Sequence, residues 1–140
     1  MTAPGRLRVL CVDDDVEVVE ALRLLLTGEP GYEWMGALTT ANDLVAVACD
    51  HRPHVVLLDV DMPGRDPLDV LAEMTVACPD VRVVVLSGHV RRALVNRAIT
   101  AGAWGYVAKA DGEGAMLDAI RAVAGGEFVM SPEVQRCYAL

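Results

Sequence analysis

The sequence predicts a doubly wound α/β fold, in which helices cover both faces of a parallel sheet. Short apolar runs alternate with segments of helical periodicity along most of the 140 residues. The runs are apolar throughout instead of alternating with polar residues, which is typical of parallel strands buried on both faces. Strand–helix alternation of this kind favours one layered domain.

Three apolar runs predict the first three strands, which are residues 7–12, 32–38 and 54–58. Between the first two, apolar residues from Val18 to Leu26 recur at helical spacing. Thr40, followed three residues later by Asp43, resembles a capping box that opens the second helix. The third run ends directly at Asp59.

Residues 81–86 and 104–107 predict the fourth and fifth strands. Asp66 followed by Pro67 is typical of a helix N-terminus, with an N-cap and then proline at the first helical position. The last two predicted helices are residues 91–100 and 113–124, each followed by glycine as a stop signal. The sequence therefore predicts five strands and five helices.

Composition and charge exclude several classes of protein. Apolar residues make up 54% and charged residues 23% of the chain, which indicates a globular domain. The apolar runs are too short to cross a bilayer, so we expect a cytoplasmic protein without a membrane partner. The net charge of −8 disfavours direct nucleic-acid binding. The four cysteines are widely spaced, which favours free thiols over a zinc site.

Polar side chains follow four of the predicted strands. They are Asp13, Asp14 and Asp15 after the first strand, Asp59 after the third, Ser87 after the fourth and Lys109 after the fifth. Lys109 is the only lysine in the chain. Since the carboxyl ends of parallel strands form the binding edge of such sheets, we expect these side chains to converge.

These residue types together indicate phosphoryl chemistry. Clustered carboxylates repel one another unless a cation neutralises them, and Mg²⁺ prefers carboxylate and carbonyl oxygens. Asp59 is then a candidate nucleophile toward phosphorus, giving an aspartyl phosphate. A metal ion, the Ser87 hydroxyl and the Lys109 ammonium would each hold one phosphoryl oxygen.

Each of these residues also has an ordinary structural interpretation. One of the three aspartates, Asp15 above all, is a natural cap for the first helix. Asp59 and Ser87 are common in turns, and a single lysine is usually a solvated surface charge. The combination at four strand ends favours the functional interpretation.

Four segments resemble the motifs of receiver domains from bacterial two-component response regulators: residues 10–15, 55–64, 84–88 and 105–109. The resemblance implies a flavodoxin-like sheet with strand order 2-1-3-4-5 and five flanking helices. It implies a domain that accepts a phosphoryl group from a sensor histidine kinase or a small phosphodonor and then changes conformation. Such domains catalyse only their own phosphorylation and dephosphorylation.

The resemblance also implies roles for individual residues. Asp14, Asp59 and the backbone carbonyl of Asp61 would bind Mg²⁺ or Mn²⁺, with Asp13 as the second acidic residue. Asp59 would be the phosphoryl acceptor, with Ser87 and Lys109 as its partners. The remaining implied roles are Ser87 and Tyr106 as the conformational switch, and Asp61 and His89 as residues that tune phosphoryl lifetime. An ordinary half-buried tyrosine is an equal alternative for Tyr106.

Two rival classes share part of this pattern. Asp59 and Asp61 also fit the Asp-x-Asp motif of haloacid-dehalogenase-like phosphatases, where the second aspartate is a general acid and base. In that superfamily the Asp-x-Asp strand comes first and an acidic pair last, which is the reverse of the order found here. A nucleotide- or flavin-binding module would need glycines and amides where residues 13–15 are aspartates.

We expect residues 1–127 to be the receiver and residues 128–140 to be a linker or short helix leading to a missing output domain. The alternative is a receiver that acts alone through protein contacts. Residues 128–134 resemble the junction found before LuxR-type helix-turn-helix domains, so DNA would be contacted only through that domain. A homodimer is a further expectation. Arg91, Arg92 and Arg97 are predicted on the surface formed by helix four, strand five and helix five, which changes on switching. A solvated helix face is the favoured interpretation of these arginines, and contact with a partner is the alternative.

Overall fold

A six-stranded sheet, in which every strand pair is parallel, forms the centre of the computed structural model, which describes residues 5–138. The strands are β1 (Leu7–Val12), β2 (Tyr32–Leu38), β3 (Val55–Asp59), β4 (Arg82–Ser87), β5 (Gly105–Ala108) and β6 (Val129–Met130). Their order across the sheet is β2-β1-β3-β4-β5-β6. All five residues of β3 are buried, as expected for a central strand covered on both faces.

Six α-helices flank the sheet within the described residues. They are α1 (Val16–Thr27), α2 (Leu44–His51), α3 (Pro67–Ala77), α4 (Arg92–Ala101), α5 (Gly112–Ala124) and α6 (Pro132–Arg136). Helices α1 and α5 pack on one face of the sheet, and α2, α3, α4 and α6 pack on the other. Alternate residues of each strand enter the two cores, because successive side chains of a strand point to opposite faces.

The predicted fold class and the order of the first five strands are confirmed. The prediction of five strands and five helices is wrong, since β6 pairs in parallel with β5 and α6 follows it. Two residues are too few to show a strand period, so β6 had no signal of its own. It forms because β5 would otherwise leave its backbone groups unpaired at the edge of the sheet.

The helix N-termini agree only in part with the predicted caps. Asp15 caps α1 by accepting hydrogen bonds from the amides of Glu17 and Val18, and Asp66 caps α3 through the Leu68 amide. The capping box at Thr40 is wrong, because α2 begins at Leu44 and no side chain caps it.

Residues 129–138, the β6–α6 segment, pack against the rest of the fold. Val134 is fully buried in the same core as Tyr106 and Val95. Residues 1–4 of the predicted receiver and residues 139–140 of the predicted linker lie outside the described part. Among residues 5–138, no helix is long and apolar enough to cross a membrane.

Candidate functional site

Most of the polar residues predicted to converge lie together at the carboxyl ends of the strands, but the Asp15 side chain caps α1 instead. Asp13 directly follows β1, Asp59 and Ser87 are the last residues of β3 and β4, and Lys109 follows β5. The parallel register places Asp59 beside Leu86 and Ser87 beside Ala108, so the ends of neighbouring strands are aligned. The sheet therefore brings these side chains together from segments far apart in sequence.

Three carboxylates form the acidic part of the site. Oxygens of Asp13, Asp14 and Asp59 all lie within 4.8 Å of one another. Asp13 and Asp59 are each only 1% exposed, whereas Asp14 is exposed to solvent. Two buried carboxylates beside a third make this cluster unfavourable without a compensating cation.

Lys109 provides part of that compensation. Its Nζ lies 2.9 Å from Oδ2 of Asp13 and 3.4 Å from Oδ2 of Asp59. Burial lowers the pKa of Lys109, but its contacts with the two carboxylates outweigh burial, so the pKa is raised overall. The ammonium therefore stays charged. The peptide bond between Lys109 and Ala110 is trans.

The surroundings of Asp59 disfavour the ionised form of its carboxyl group. Burial raises the pKa of its carboxyl to about 6, and the charge of Asp13 adds to this effect. The backbone amide of Asp61, which donates to Oδ1 of Asp59 at 3.1 Å, acts in the opposite direction, as does Lys109. The Lys109 ammonium thus does not fully compensate the charges of Asp13 and Asp59.

The donor set fits a hard divalent cation. Oδ2 of Asp13 has no well-directed hydrogen-bond donor among the described residues, although Lys109 is near it. The other oxygen of Asp13 accepts the Asp15 amide at 2.9 Å, which fixes the carboxylate in place. Carboxylate oxygens held in this way suit Mg²⁺ or Mn²⁺, and thiol or imidazole ligands are absent from the described cluster.

Ser87 and Tyr106 are both fully buried next to this edge. The Ser87 hydroxyl donates to the His89 carbonyl at 2.7 Å and accepts the His89 amide at 3.2 Å, which closes the loop after β4. The Tyr106 hydroxyl has no hydrogen-bond partner among the described residues. Tyr106 is thus completely buried, not half-buried, and burial raises the pKa of its phenol.

The two residues predicted to tune phosphoryl lifetime lie in the loops that follow β3 and β4. Asp61 and His89 are both exposed. A Cβ placed on Gly88 would lie 4.0 Å from Oδ2 of Asp61, so the loops after β3 and β4 approach each other here.

Two of the predicted surface arginines contact different parts of the fold. The Arg92 guanidinium lies 5.0 Å from the ring centre of Tyr138, in the β6–α6 segment. Arg97 instead faces α3, where it lies 2.8 Å from Asp69 and 3.0 Å from Asp66, so the prediction is wrong for Arg97.

One contact near the site had no signal in the sequence. The Asn42 side chain accepts the backbone amide of Arg65 at 2.9 Å and so holds the loop after β3. Gly64 in this loop has φ +97°, and a Cβ there would lie 2.7 Å from Oδ1 of Asn42. Because 23 residues separate the two partners, local spacing could not reveal their contact.

Comparisons with known proteins agree with this geometry. The family model "Response regulator receiver domain" matches residues 9–121. Response regulator GacA of Pseudomonas aeruginosa is 33% identical over 134 residues, which are 96% of this chain and 63% of that protein. A LuxR-family response regulator from Aurantimonas sp. SI85-9A1 superposes with a TM-score of 0.87 at 26% identity, covering 94% of each chain.

A second solved structure supports the fold alone. The isolated REC domain of RcsB from Salmonella enterica, solved with the phosphomimetic BeF3⁻, matches with a TM-score of 0.85 at 20% identity, covering 95% of this chain and 99% of that one. The chain spans about three fifths of the length of the curated relatives it matches. The phosphatase alternative finds no support in these comparisons, in agreement with the order of its motifs.

Proposed function

This chain belongs to the response regulator receiver domain family, and from that premise we propose that Asp59 is its phosphoryl acceptor. Receiver domains of two-component systems are signalling domains that are phosphorylated on an aspartate and switch conformation. The observation that carries the assignment is the position of Asp59, a buried carboxylate at the end of β3 with Lys109 3.4 Å away.

The chain's own residues would act together in the transfer. Asp59 attacks the phosphorus of a phosphohistidine or of a small phosphodonor, and the bond from phosphorus to the leaving group breaks. Lys109 holds one phosphoryl oxygen by its charge, and the Ser87 hydroxyl binds a second. Asp13, Asp14, Asp59 and the Asp61 carbonyl would hold Mg²⁺ or Mn²⁺. The metal ion would neutralise charge on the third oxygen.

The conformational response would follow from the same contacts. Moving the Ser87 hydroxyl toward a phosphoryl group breaks its bonds to His89 and loosens the loop before α4. In the structure Tyr106 is buried while both bonds between Ser87 and His89 are intact, so movement of this loop would change the surroundings of its ring. Phosphorylation would thus shift the populations of two arrangements of Ser87, Tyr106 and α4, and change the surface around β5.

Asp61 and His89 would set the lifetime of the phosphoryl group. Both are exposed, two residues after the ends of β3 and β4. A carboxylate and a titratable imidazole are suited to orient water near the phosphorus atom or to exclude it.

The wider assignment is a cytoplasmic regulator phosphorylated by a sensor histidine kinase, with residues 1–127 as receiver. Residues 128–140 would lead to an output domain of LuxR type, through which DNA is contacted, and the receiver would form homodimers. The relatives support this, since they are named as response regulators and transcriptional regulators and are longer than this chain.

Covalent labelling tests the acceptor. The chain incubated with Mg²⁺ and acetyl phosphate should gain one acyl phosphate, measured by intact-protein mass spectrometry. Asp59→Asn should abolish the label, while Asp50→Asn, an exposed aspartate on α2, should keep it. Labelling of Asp59→Asn would move the acceptor elsewhere, and rapid multiple turnover of a phosphomonoester would contradict the receiver function.

A further inference from the structure

The β6–α6 segment is bonded along the whole length of β5. The amides of Val129 and Ser131 donate to the carbonyls of Trp104 and Tyr106, both at 3.1 Å. The Ala108 amide donates in return to the Ser131 hydroxyl at 2.9 Å, and Ser131 is only 4% exposed. Ala108 directly precedes Lys109, so Ser131 fixes the last amide of the strand before the lysine.

The turn that carries the lysine is tied to the same segment at its other end. Lys109–Asp111 forms one 3-10 turn, and the Asp111 carboxylate accepts the Glu133 amide at 2.9 Å. Ser131 and the Glu133 amide lower the pKa of Asp111, which keeps this acceptor ionised. The lysine backbone is therefore held between two contacts, both made by residues 131–133.

The far end of the segment reaches α4. The Tyr138 hydroxyl donates to the Asn96 side chain at 2.7 Å, and the Arg92 guanidinium lies 5.0 Å from the Tyr138 ring centre. Val134 is fully buried between these two regions. The segment thus bridges the lysine turn and the helix that follows the Ser87 loop.

We propose that Ser131 and Asp111 are positioning residues for Lys109, and that docking of the β6–α6 segment and occupation of the phosphoryl site favour each other. This inference rests on the proposed function of Asp59 and Lys109. A lysine whose turn is already fixed loses less conformational freedom when it binds a phosphoryl oxygen. By linkage, a bound phosphoryl group must then stabilise the docked segment by the same factor.

Calorimetric titration of the full chain with beryllofluoride in saturating Mg²⁺ measures the first half of this linkage. Ser131→Ala should weaken beryllofluoride binding by about threefold to tenfold, the range expected for one lost hydrogen bond. Its affinity for Mg²⁺ alone should fall much less, because Asp13, Asp14 and Asp59 lie on segments that do not contact Ser131. A general loss of structure would lower both affinities.

A matched control and a second variant complete this experiment. Thr27→Ala removes a hydroxyl that donates to the Arg23 carbonyl at 2.7 Å, far from the site, and should bind beryllofluoride like the unaltered chain. Asp111→Ala removes the second contact and should weaken beryllofluoride binding in the same way. If Ser131→Ala does not fold, Asp111→Ala alone tests the positioning of Lys109.

Hydrogen exchange of the unaltered chain measures the second half. Amides of residues 129–138 should exchange several times more slowly with beryllofluoride and Mg²⁺ than with Mg²⁺ alone. Unchanged exchange would overturn the inference while leaving the proposed function intact. The same holds if the folded Ser131→Ala and Asp111→Ala variants bind beryllofluoride as tightly as the unaltered chain does. If the unaltered chain bound no beryllofluoride, the proposed function itself would be wrong, and this inference with it.

Discussion

The Lys109 ammonium lies closer to Asp13 than to the proposed acceptor, at 2.9 Å from Oδ2 of Asp13 against 3.4 Å from Oδ2 of Asp59. The only lysine of the chain therefore holds two buried carboxylates together before any phosphoryl group arrives. Its first role in the structure is electrostatic compensation, and the same position makes it available to a phosphoryl oxygen.

Lys109→Ala should destabilise the metal-free protein by about 3 kcal/mol, the lower end for breaking a buried ion pair. Asp13 and Asp59 would remain buried without a cation, although Asp59 can relieve part of the penalty by taking up a proton. Urea denaturation measures the change. Arg23→Ala, which removes an exposed ion pair with Glu20, should lower the free energy of unfolding far less. If Lys109→Ala and Arg23→Ala lowered the free energy of unfolding equally, Lys109 would not compensate the buried carboxylates.

Asp59→Asn should stabilise the metal-free protein at pH 7 by about 1–3 kcal/mol. The pKa of Asp59 is raised from 3.8 to about 6 on folding, so ionisation of Asp59 opposes the folded state. Stability of the unaltered protein should therefore fall as pH rises from about 4 to about 6. The advantage of Asp59→Asn should shrink below pH 6 and vanish well below pH 4, where the carboxyl is protonated in both states.

The same two proteins compared in saturating Mg²⁺ provide the control. The unaltered chain should gain more stability from Mg²⁺ than Asp59→Asn, because the variant lacks one of the proposed metal ligands. If Asp59→Asn is instead less stable than the unaltered chain at pH 7 without metal, the ionised Asp59 carboxylate stabilises the folded protein, and the prediction is wrong.

Tyr106→Phe should leave the free energy of unfolding unchanged or raise it by up to about 1 kcal/mol. Among residues 5–138 the buried Tyr106 hydroxyl has no hydrogen bond of good geometry, so its removal relieves a poorly met hydrogen-bonding group. Tyr106→Ala should instead cost about 3–5 kcal/mol through the cavity it leaves. Thermal unfolding of both variants tests this, and a clear loss in Tyr106→Phe would mean that the hydroxyl has a partner in solution.

Gly64→Ala should destabilise the protein by about 1–3 kcal/mol and weaken Mg²⁺ binding. Its φ of +97° disfavours any side chain, and the new Cβ would meet the Asn42 oxygen at 2.7 Å. The loop carrying the Asp61 carbonyl would then have to move. Gly114→Ala is the matched control, since that helical glycine has open space around it and should gain up to about 1 kcal/mol. Equal melting temperatures of the two variants would contradict this role of Gly64.

The fold and the acidic site could be predicted because both depend on local patterns. Each central strand is a continuous apolar run, and Asp13, Asp59, Ser87 and Lys109 follow such runs directly. A parallel sheet then aligns the strand ends without further information. The positions of these residues directly after the strands were therefore enough to predict the site.

The remaining features depend on contacts between distant segments. Strand β6 needs the free edge of β5, and the Asn42–Arg65 and Ser131–Ala108 bonds each join residues 23 positions apart. Arg97 faces α3 because Asp66 and Asp69 lie there, which helical spacing alone does not reveal. Tertiary packing, and not local propensity, decided these positions.

The shortness of β6 protects one side of the sheet from other chains. A two-residue strand exposes few free backbone groups to a neighbouring molecule, and Pro132 soon afterwards lacks an amide hydrogen. The opposite edge is β2, which has seven residues but is made irregular by a register shift and by Gly36 at φ +119°. Both edges of the sheet are therefore poor templates for a strand added by another polypeptide.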